Sequence, residues 1–338
     1  MGEDHPHPEA RLSPVPVSIV IPMLNEIESI GLCLNSILAQ SYPADLMEIV
    51  VVDGCSTDGS REKVLEFSKT YSNIRLLTNP LRRTPISLNI GVKNSRGDVV
   101  IILGAHTQIR NDFVEQNIRL MREQGVKCTG GTQLNTGKSF LQCAIGLAMA
   151  SRFGIPSARY RFHKKPCFVD TVVYAAYARE LFDQVGFFNE ELHISEDAEF
   201  NWRIRKAGYR IYYSPEIVSY YYPRRNLSSL AKQFFNYGIL RVNVIKKHPD
   251  AITLLHMAPP LFVLALIVLG VIAVLNTEFM ICLFTLLGIY LLYITAASII
   301  TCQQTHSRQY MFVVPIIFAT MQMSWGLGFL AGLFKTYR

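Results

Sequence analysis

Residues 48–60 have the sequence EIVVVDGCSTDGS, in which a β-branched run leads into a glycine-rich polar turn. The run predicts a strand over 49–52 that delivers the carboxylate of Asp53 to the turn. In an open parallel sheet, ligands bind beyond the carboxyl ends of the strands. A carboxylate there, beside backbone N–H groups and hydroxyls, suits a ribose, a base edge or a metal-bound phosphate. The stretch therefore predicts an enzyme that binds a nucleotide.

Further strand candidates alternate with helices on either side of this stretch, and they cover residues 17–22, 74–77 and 99–103. A polar residue precedes each of the first two predicted helices, so we expect Asn25 to cap the first and Asp58 or Ser56 to cap the second. The alternation with short loops predicts an α/β fold with a doubly wound, mostly parallel sheet. After residue 130 the pattern becomes mixed, with strands predicted over 168–175 and 209–213 and a helix over 196–207.

The apolar residues, half of the 338, are concentrated after residue 251. Three apolar stretches there are each long enough to cross roughly 30 Å of hydrocarbon, namely 253–275, 279–300 and 311–334. They predict a membrane domain over 251–338. A helix with one basic and one apolar side is predicted within 226–250, and we expect it to lie along the membrane surface. A helix packed in the core of the soluble domain would show the same pattern.

The amino-terminal residues 1–15 contain acids and prolines but no apolar signal-peptide core, which predicts a flexible tail before a catalytic domain over 16–225. We therefore expect the catalytic domain of this integral membrane protein to be cytoplasmic.

The seven cysteines show no metal-binding spacing, and we expect reduced thiols. The net charge is +7, and much of the excess lies in 152–165 and 224–248. Such stretches favour anionic lipid headgroups or phosphate substrates, whereas no motif supports nucleic-acid binding.

The order and spacing of several short motifs resemble those of the family-2 glycosyltransferases of the GT-A fold, in particular the membrane-anchored branch typified by ExoA. The motifs that carry the resemblance are Ser18-Ile19-Val20-Ile21-Pro22, Asn25-Glu26, Val52-Asp53-Gly54, Ser56-Thr57-Asp58-Gly59, Asn89-Ile90-Gly91, Arg96-Gly97-Asp98, Ser195-Glu196-Asp197, Arg203, Ala207-Gly208, Tyr222-Pro223-Arg224, Gln233, Tyr237-Gly238 and Gly326-Leu327-Gly328. The resemblance extends from Val17 to the last apolar stretch. It implies a GT-A domain followed by transmembrane helices.

The resemblance also implies which residues bind the donor. Pro22, Asn25 and Glu26 would lie around the base and ribose, and Asp53 with Gly54 would hold uracil or a corresponding base. A carboxylate at a strand end can accept a hydrogen bond from a base N–H, which agrees with this assignment. The alternative for Asp53 is a purely structural role as the turn-forming residue before a glycine.

The metal-binding motif of the family departs from its usual form in this chain. Relatives end the fourth strand with Asp-x-Asp, whose second acid holds Mg²⁺ or Mn²⁺, whereas this chain has Gly104-Ala105-His106. His106 could ligate Mn²⁺ or, less well, Mg²⁺, and it could instead donate a hydrogen bond to the diphosphate. It could also be a polar residue at a strand end without a ligand. The need for a metal is therefore left open.

The catalytic assignment falls on two adjacent acids before a predicted helix. By resemblance, Asp197 is the base that removes the proton of the acceptor hydroxyl, and Glu196 orients it or contacts the acceptor. Acids at a helix start could instead have only a structural role, in which their negative charge stabilises the positive end of the helix dipole. Tyr222, Arg224 and Arg225 would form a loop that stabilises the leaving diphosphate, although Arg225 could contact only lipid headgroups.

Together these features predict an inverting glycosyltransferase that moves a sugar from a nucleotide-sugar donor, expected to be UDP-linked, to a lipid-linked saccharide in cell-surface polysaccharide synthesis. The expected partners are the donor, a polyprenyl-linked acceptor and membrane lipids; no oligomeric state is predicted. One alternative is a polyprenyl-phosphate glycosyltransferase, in which the lipid phosphate itself is the acceptor. The other is a catalytically silent membrane scaffold that retains the fold.

Overall fold

The computed structural model describes residues 14–156, 158–191, 196–247 and 254–334. The first half of its sheet consists of four parallel strands in the order β3-β2-β1-β4, with bounds β1 Val17–Met23, β2 Met47–Asp53, β3 Ile74–Thr78 and β4 Val99–Ile102. Three helices connect them, α1 Ile30–Leu38, α2 Ser60–Thr70 and α3 Thr84–Lys93. This is the alternation that the sequence predicts. The nearly continuous apolar runs arise because both faces of these strands are buried.

The second half of the sheet is mixed and continues in the order β4-β8-β6-β9-β5, with β7 also on β9. Its strands are β5 Thr107–Ile109, β6 Cys128–Asn135, β7 Cys167–Val169, β8 Ala176–Ala178 and β9 Ile211–Tyr221. Strand β8 is antiparallel to both β4 and β6, whereas β6 and β9 are parallel. The predicted strand over 168–175 is therefore wrong as a single element, because β7 ends at Val169 and β8 begins only at Ala176.

Strand β9 is also longer than the predicted strand over 209–213. Ser214 and Pro215 follow the predicted strand, and a proline cannot donate a ladder hydrogen bond. In the structure the pairing with β6 shifts, so that Gly131 pairs with Ser214 and Thr132 with Val218. Residues 215–217 then have no partner in β6, which accommodates the proline without ending the strand.

The sheet separates two apolar cores, and further helices cover it. They are α4 Phe113–Glu123, α5 Phe140–Met149, α6 Glu180–Val185 and α7 Glu196–Lys206. Alternate residues of each strand point to opposite faces. Ile19 and Ile49 therefore lie in one core, and Val20 and Val50 lie in the other.

The carboxyl-terminal part contains three helices that are long and apolar enough to cross a membrane, α9 Leu254–Leu275, α10 Met280–Gln304 and α11 Val314–Phe334. Helix α8, Leu227–Lys247, packs backbone to backbone against α11. A Cβ atom added at Gly328 would lie 2.0 Å from the carbonyl oxygen of Phe235, and one at Gly238 would lie 2.2 Å from that of Trp325. Small residues at such positions allow helices to approach this closely. The apolar side of α8 is thus covered by protein, and its expected position along the membrane surface stays a prediction.

Candidate active site

A cavity of about 870 Å³ begins at the carboxyl ends of β1, β2 and β4 and continues between the carboxyl-terminal helices. The lining at the sheet end includes Pro22, Gly54 and residues 102–106. At the other end the lining includes Phe262, Tyr290, Tyr293, Met321 and Trp325, which belong to α9, α10 and α11. The same cavity therefore joins the predicted nucleotide end to the apolar helices.

Hydrogen bonds join the loop after β1 to the loop after β2. The backbone N–H of Asn25 donates to Ser56 Oγ at 2.9 Å, and Asn25 Oδ1 accepts from the N–H of Thr57 at 2.9 Å. Asp58 Oδ2 likewise accepts from the N–H of Ile27 at 3.0 Å. Asn25 adopts the left-handed conformation with φ 55°, which Asn tolerates better than most residues. These contacts define the shape of the donor end.

The predicted caps of the first two helices are therefore wrong in detail. The residue before α1 is Ser29 and the residue before α2 is Gly59, and neither caps through its side chain. Asn25 serves the neighbouring loop instead. Asp58, which precedes Gly59, does contact the helix start. Its Oδ1 atom accepts from the N–H of Ser60 at 3.0 Å.

Asp53 lies at the end of β2 and is fully buried. Its carboxylate accepts from the backbone N–H of Ser56 at 3.1 Å and forms an ion pair with Arg61 at 3.3 Å. Gly54, the next residue, lines the cavity. The contact with Ser56 fits the turn-forming alternative, and the contact with a nucleotide base remains a prediction.

Glu26 and His106 meet at the cavity wall although 80 positions separate them in sequence. His106 Nδ1 lies 3.1 Å from Glu26 Oε1, and Ser29 Oγ donates to Glu26 Oε2 at 2.6 Å. Partial burial opposes ionisation of Glu26, but the hydrogen bonds from His106 and Ser29 and the charge of Arg224 outweigh it, so the pKa of Glu26 lies below its ordinary value. An ionised carboxylate only accepts, which makes Nδ1 the donor and leaves Nε2 of a neutral His106 as an acceptor.

The fit of a divalent ion to this wall is limited. Across the described ranges, no group of three or more His, Cys, Asp or Glu side chains is placed to hold a metal ion. His106 and Glu26 offer two donor groups, and Gly104 adds none. These residues fit an ion that receives its remaining ligands from a diphosphate and water.

Gly104→Asp is expected to strengthen Mn²⁺ binding by about tenfold when UDP is present. A Cβ atom at Gly104 would lie 3.6 Å from Nε2 of His106, so an added carboxylate would converge with the imidazole on one ion. The binding of Mn²⁺ can be followed by electron paramagnetic resonance. Gly104→Ala fills the same space without a ligand and should bind Mn²⁺ as the wild type does; equal gains in both variants would contradict the prediction.

The sequence motifs did not point to Arg82 and Arg83, which line the same end of the cavity just before α3. Arg82 adopts the left-handed conformation with φ 57°. A signal was present, because two consecutive arginines follow the third strand at the edge where ligands bind in a parallel sheet. Their charge suits a diphosphate.

The predicted catalytic acids, Glu196 and Asp197, lie at the start of α7 and line the same cavity. The Oδ1 atom of Asp197 accepts from the N–H of Ala198 at 2.7 Å. Burial raises the pKa of Asp197 above its ordinary value. Burial and the charge of Asp197 raise the pKa of Glu196 to about 8. Burial of two adjacent acids therefore favours a state in which one of them keeps its proton while the other can act as a base. Ser195, the first residue of this motif, lies outside the described residues.

The three residues predicted in the loop after β9 have different surroundings. Arg224 lines the cavity. The Tyr222 hydroxyl accepts from Gln108 Nε2 at 3.2 Å. Arg225 is exposed and pairs with Glu28 at 3.0 Å. The structure thus brings Arg224 to the cavity, whereas Arg225 lies at the surface.

Comparison with known proteins agrees with this arrangement. The profile of the family described as "Glycosyl transferase family 2" matches residues 18–186. The chain is 32% identical over 238 residues to the dolichyl N-acetyl-alpha-D-glucosaminyl phosphate 3-beta-D-2,3-diacetamido-2,3-dideoxy-beta-D-glucuronosyltransferase of Methanococcus voltae, covering 68% of this chain and 74% of that protein. It is 30% identical over 243 residues to the succinoglycan biosynthesis protein ExoA of Rhizobium meliloti, covering 71% and 73%.

A solved structure supports the fold. The mannosyltransferase PcManGT from Pyrobaculum calidifontis, in complex with GDP-Man and Mn2+, superposes with a TM-score of 0.61 at 20% identity and covers 94% of this chain and 87% of that one. The predicted GT-A fold is confirmed by this similarity and by the family match. With the family profile covering half of its length and two relatives at 30% identity or more, the chain belongs to glycosyl transferase family 2 and is a glycosyltransferase.

Proposed function

We propose that the protein is an inverting glycosyltransferase that transfers a sugar from a UDP-linked donor to a lipid-linked saccharide at the cytoplasmic membrane face. The observation that carries the proposal is the continuity of the cavity from the carboxyl ends of β1, β2 and β4, past Asp197, to the apolar helices. A nucleotide fits the polar end, and a lipid fits the end lined by Phe262 and Trp325. The sugar to be transferred would lie between them.

The donor would bind at the sheet end of the cavity. Pro22, Glu26 and Gly54 line the place where the base and ribose are expected, and Asn25 and Asp53 are the residues next to Glu26 and Gly54 in the chain. Arg82, Arg83 and Arg224 would neutralise the diphosphate. A Mn²⁺ or Mg²⁺ ion bound with the donor would be held by His106, with Glu26 beside it, and would supply further positive charge to the diphosphate.

The chemical step requires that a hydroxyl of the acceptor attacks the anomeric carbon of the donor sugar. Asp197 would take the proton of that hydroxyl as the new glycosidic bond forms. The bond between the anomeric carbon and the diphosphate breaks on the opposite face, which inverts the configuration. The arginines at the donor end stabilise the charge on the departing diphosphate.

The acceptor assignment draws support from the relatives. One is named for transfer to a dolichyl-linked sugar phosphate, and another is named for succinoglycan biosynthesis. Helices α9, α10 and α11 would hold the active site at the membrane, where a polyprenyl-linked saccharide presents its sugar. The name of the second relative supports extending the proposal to cell-surface polysaccharide synthesis.

Glu196→Gln is expected to retain transfer at pH values where the wild type loses it. Because the pKa of Glu196 is about 8, ionisation at higher pH places a second negative charge beside the base and removes a hydrogen-bond donor. Glutamine keeps the donor and does not ionise. The values of kcat/KM from about pH 6 to pH 10 should therefore fall at the alkaline end only in the wild type.

The unfolding temperature of Glu196→Gln as a function of pH is a second test of the raised pKa. The folded-state pKa of Glu196 lies above its ordinary value of 4.5, so ionisation destabilises the folded protein as the pH rises from 4.5 towards about 8. Glu196→Gln should therefore unfold at a higher temperature than the wild type under alkaline conditions, with a smaller difference under acidic ones. Parallel pH profiles of rate and of unfolding temperature in the two proteins would contradict the shifted pKa.

The proposed function is tested by incubating membranes that contain the protein with labelled UDP-, GDP- and dTDP-sugars, with and without EDTA. Label should enter the organic, lipid-linked fraction from a UDP-sugar and should be absent in membranes without the protein. Mild acid should release a saccharide longer than the transferred sugar. Release of only the single sugar would favour the polyprenyl-phosphate alternative, and failure to bind or use any donor with any metal would favour the scaffold.

A further inference from the structure

Two arginines outside the donor end face the same cavity, and the first is Arg161. Its Nη1 atom donates to Asn135 Oδ1 at 3.2 Å, and its guanidinium lies 5.3 Å from the ring centroid of Tyr160 and 5.7 Å from that of Tyr221. Its Nε atom is buried and has no hydrogen-bond partner among the described residues. The rings hold the guanidinium in place, but they do not neutralise it.

The second is Arg241, which α8 carries to the cavity on the side of the apolar helices. One turn earlier, Gly238 packs against Trp325 of α11, and Trp325 lines that end of the cavity. Within the ranges that the structure describes, Arg241 forms no ion pair. Burial lowers the pKa of Arg241, and the charge of Asp197 partly opposes that effect.

The charges in this part of the cavity do not balance. Arg161 and Arg241 both interact electrostatically with Asp197, so the three groups share one region. Burial disfavours ionisation of both Glu196 and Asp197 at once, so the two acids carry less negative charge than would balance the two arginines. Guanidinium groups out of water without an anion are costly, and a bound anion would remove that cost.

We propose that Arg161 and Arg241 bind a phosphate group of the lipid-linked acceptor, in a subsite separate from that of the donor diphosphate. This inference rests on the proposed function for the identity of the acceptor. Guanidinium groups bind phosphate through paired N–H donors, which fixes its orientation. With the phosphate held between Asp197 and the apolar helices, the lipid chain extends along Phe262 and Trp325 and the acceptor sugar faces the base.

Binding of farnesyl phosphate and of farnesol, its uncharged analogue, tests the subsite without any sugar transfer. The full chain in neutral detergent is used in a Trp202→Phe background, where the fluorescence of Trp325 reports binding inside the cavity. Farnesyl phosphate should bind at least about tenfold more tightly than farnesol. Arg161→Met and Arg241→Met should each reduce that ratio to below about threefold and leave farnesol binding unchanged.

The matched control is Lys232→Met, because Lys232 is an exposed cation of α8 that does not line the cavity. It should keep the full preference for farnesyl phosphate. Arg241→Lys keeps the positive charge and should retain part of the preference for farnesyl phosphate. UDP binding shows whether the methionine variants have folded, and Arg241→Lys replaces them as the test if they have not. Equal affinities of the wild type for the two probes, or an unchanged ratio in the arginine variants, would overturn the proposal.

Lipid headgroups are the other source of phosphate, and a competition experiment distinguishes them. Phosphatidylglycerol added to phosphatidylcholine nanodiscs should not displace farnesyl phosphate; displacement at equal concentrations would make the subsite a headgroup site and overturn the acceptor assignment. If the binding preference holds but no sugar reaches any lipid-linked acceptor, the proposed function fails and the phosphate subsite stands. If transfer occurs and the preference is absent, the subsite alone fails.

Discussion

Asp197→Asn should lower kcat for sugar transfer by about a thousandfold, which is the usual range for removal of a general base. The asparagine side chain keeps the shape and the hydrogen bond from the N–H of Ala198, yet it cannot take a proton from the acceptor hydroxyl. Because Asp197 is not among the residues proposed to hold the nucleotide, UDP binding measured by calorimetry should change less than about twofold. Unchanged turnover would exclude Asp197 as the base.

Glu62→Gln is the control for a purely structural role of the acid. Glu62 is an exposed acid in the first turn of α2, a helix of the same length as α7, and it lies outside the cavity. If Asp197 only stabilised its helix, the two variants would lower the unfolding temperature alike and would both keep transfer. We expect both to fold and only Asp197→Asn to lose transfer.

The same variant separates the two enzymatic possibilities. A phosphate acceptor is already ionised at neutral pH and needs no base, so a polyprenyl-phosphate glycosyltransferase would show only a mild effect of Asp197→Asn. A hydroxyl acceptor needs deprotonation as it attacks, and the effect is then large. The size of the loss therefore reports the chemistry of the acceptor.

Gly328→Val should prevent stable folding of the full chain in detergent. A Cβ atom at this position would lie 2.0 Å from the carbonyl oxygen of Phe235, so α8 and α11 would have to separate. Overpacking costs typically about 1–3 kcal/mol when side chains can adjust, and more is expected here because the obstructing atom belongs to the backbone. Helix α8 also carries Gln233, Tyr237 and Arg241 to the cavity, so any folded remainder should lose transfer.

Gly288→Val is the control for this prediction, since no atom lies within 4 Å of a Cβ added at Gly288 of α10. Both substitutions add the same side chain to an apolar helix. Size-exclusion profiles and unfolding temperatures should be disturbed for Gly328→Val and nearly unchanged for Gly288→Val. Equal behaviour of the two variants would show that the contact between α8 and α11 is not tight.

The elements that the sequence predicted well are those with nearly continuous apolar runs. Strands β1 to β4 and helices α9 to α11 belong to this class, and their observed bounds lie within a few residues of the predicted ones. Strand β9 was predicted too short, because its continuation past Pro215 depends on a register shift against β6, which is distant in sequence. Local propensity contains no information about such a partner.

The residues of the candidate site also divide into those that the sequence indicated and those that only folding brings together. The motifs directed attention to Asp53, His106 and Asp197, because a strand end or helix start is visible in the sequence. The pairing of Glu26 with His106 depends on two loops that meet only in the folded chain. Likewise, Arg161 and Arg241 were assigned no common site, since one belongs to a single 3₁₀ turn and the other to a helix that reaches the cavity by packing on α11.

The hydrogen bonds that join Asn25 and Asp58 to the opposite loop bear on the thermodynamics of donor recognition. Loops that become ordered only when a ligand arrives lose conformational entropy at that moment, and their affinity is reduced accordingly. Here the two loops have already lost that freedom during folding, because each satisfies polar groups of the other. Nucleotide binding should therefore resemble the docking of a ligand into a preorganised site, with little induced fit in the loops after β1 and β2.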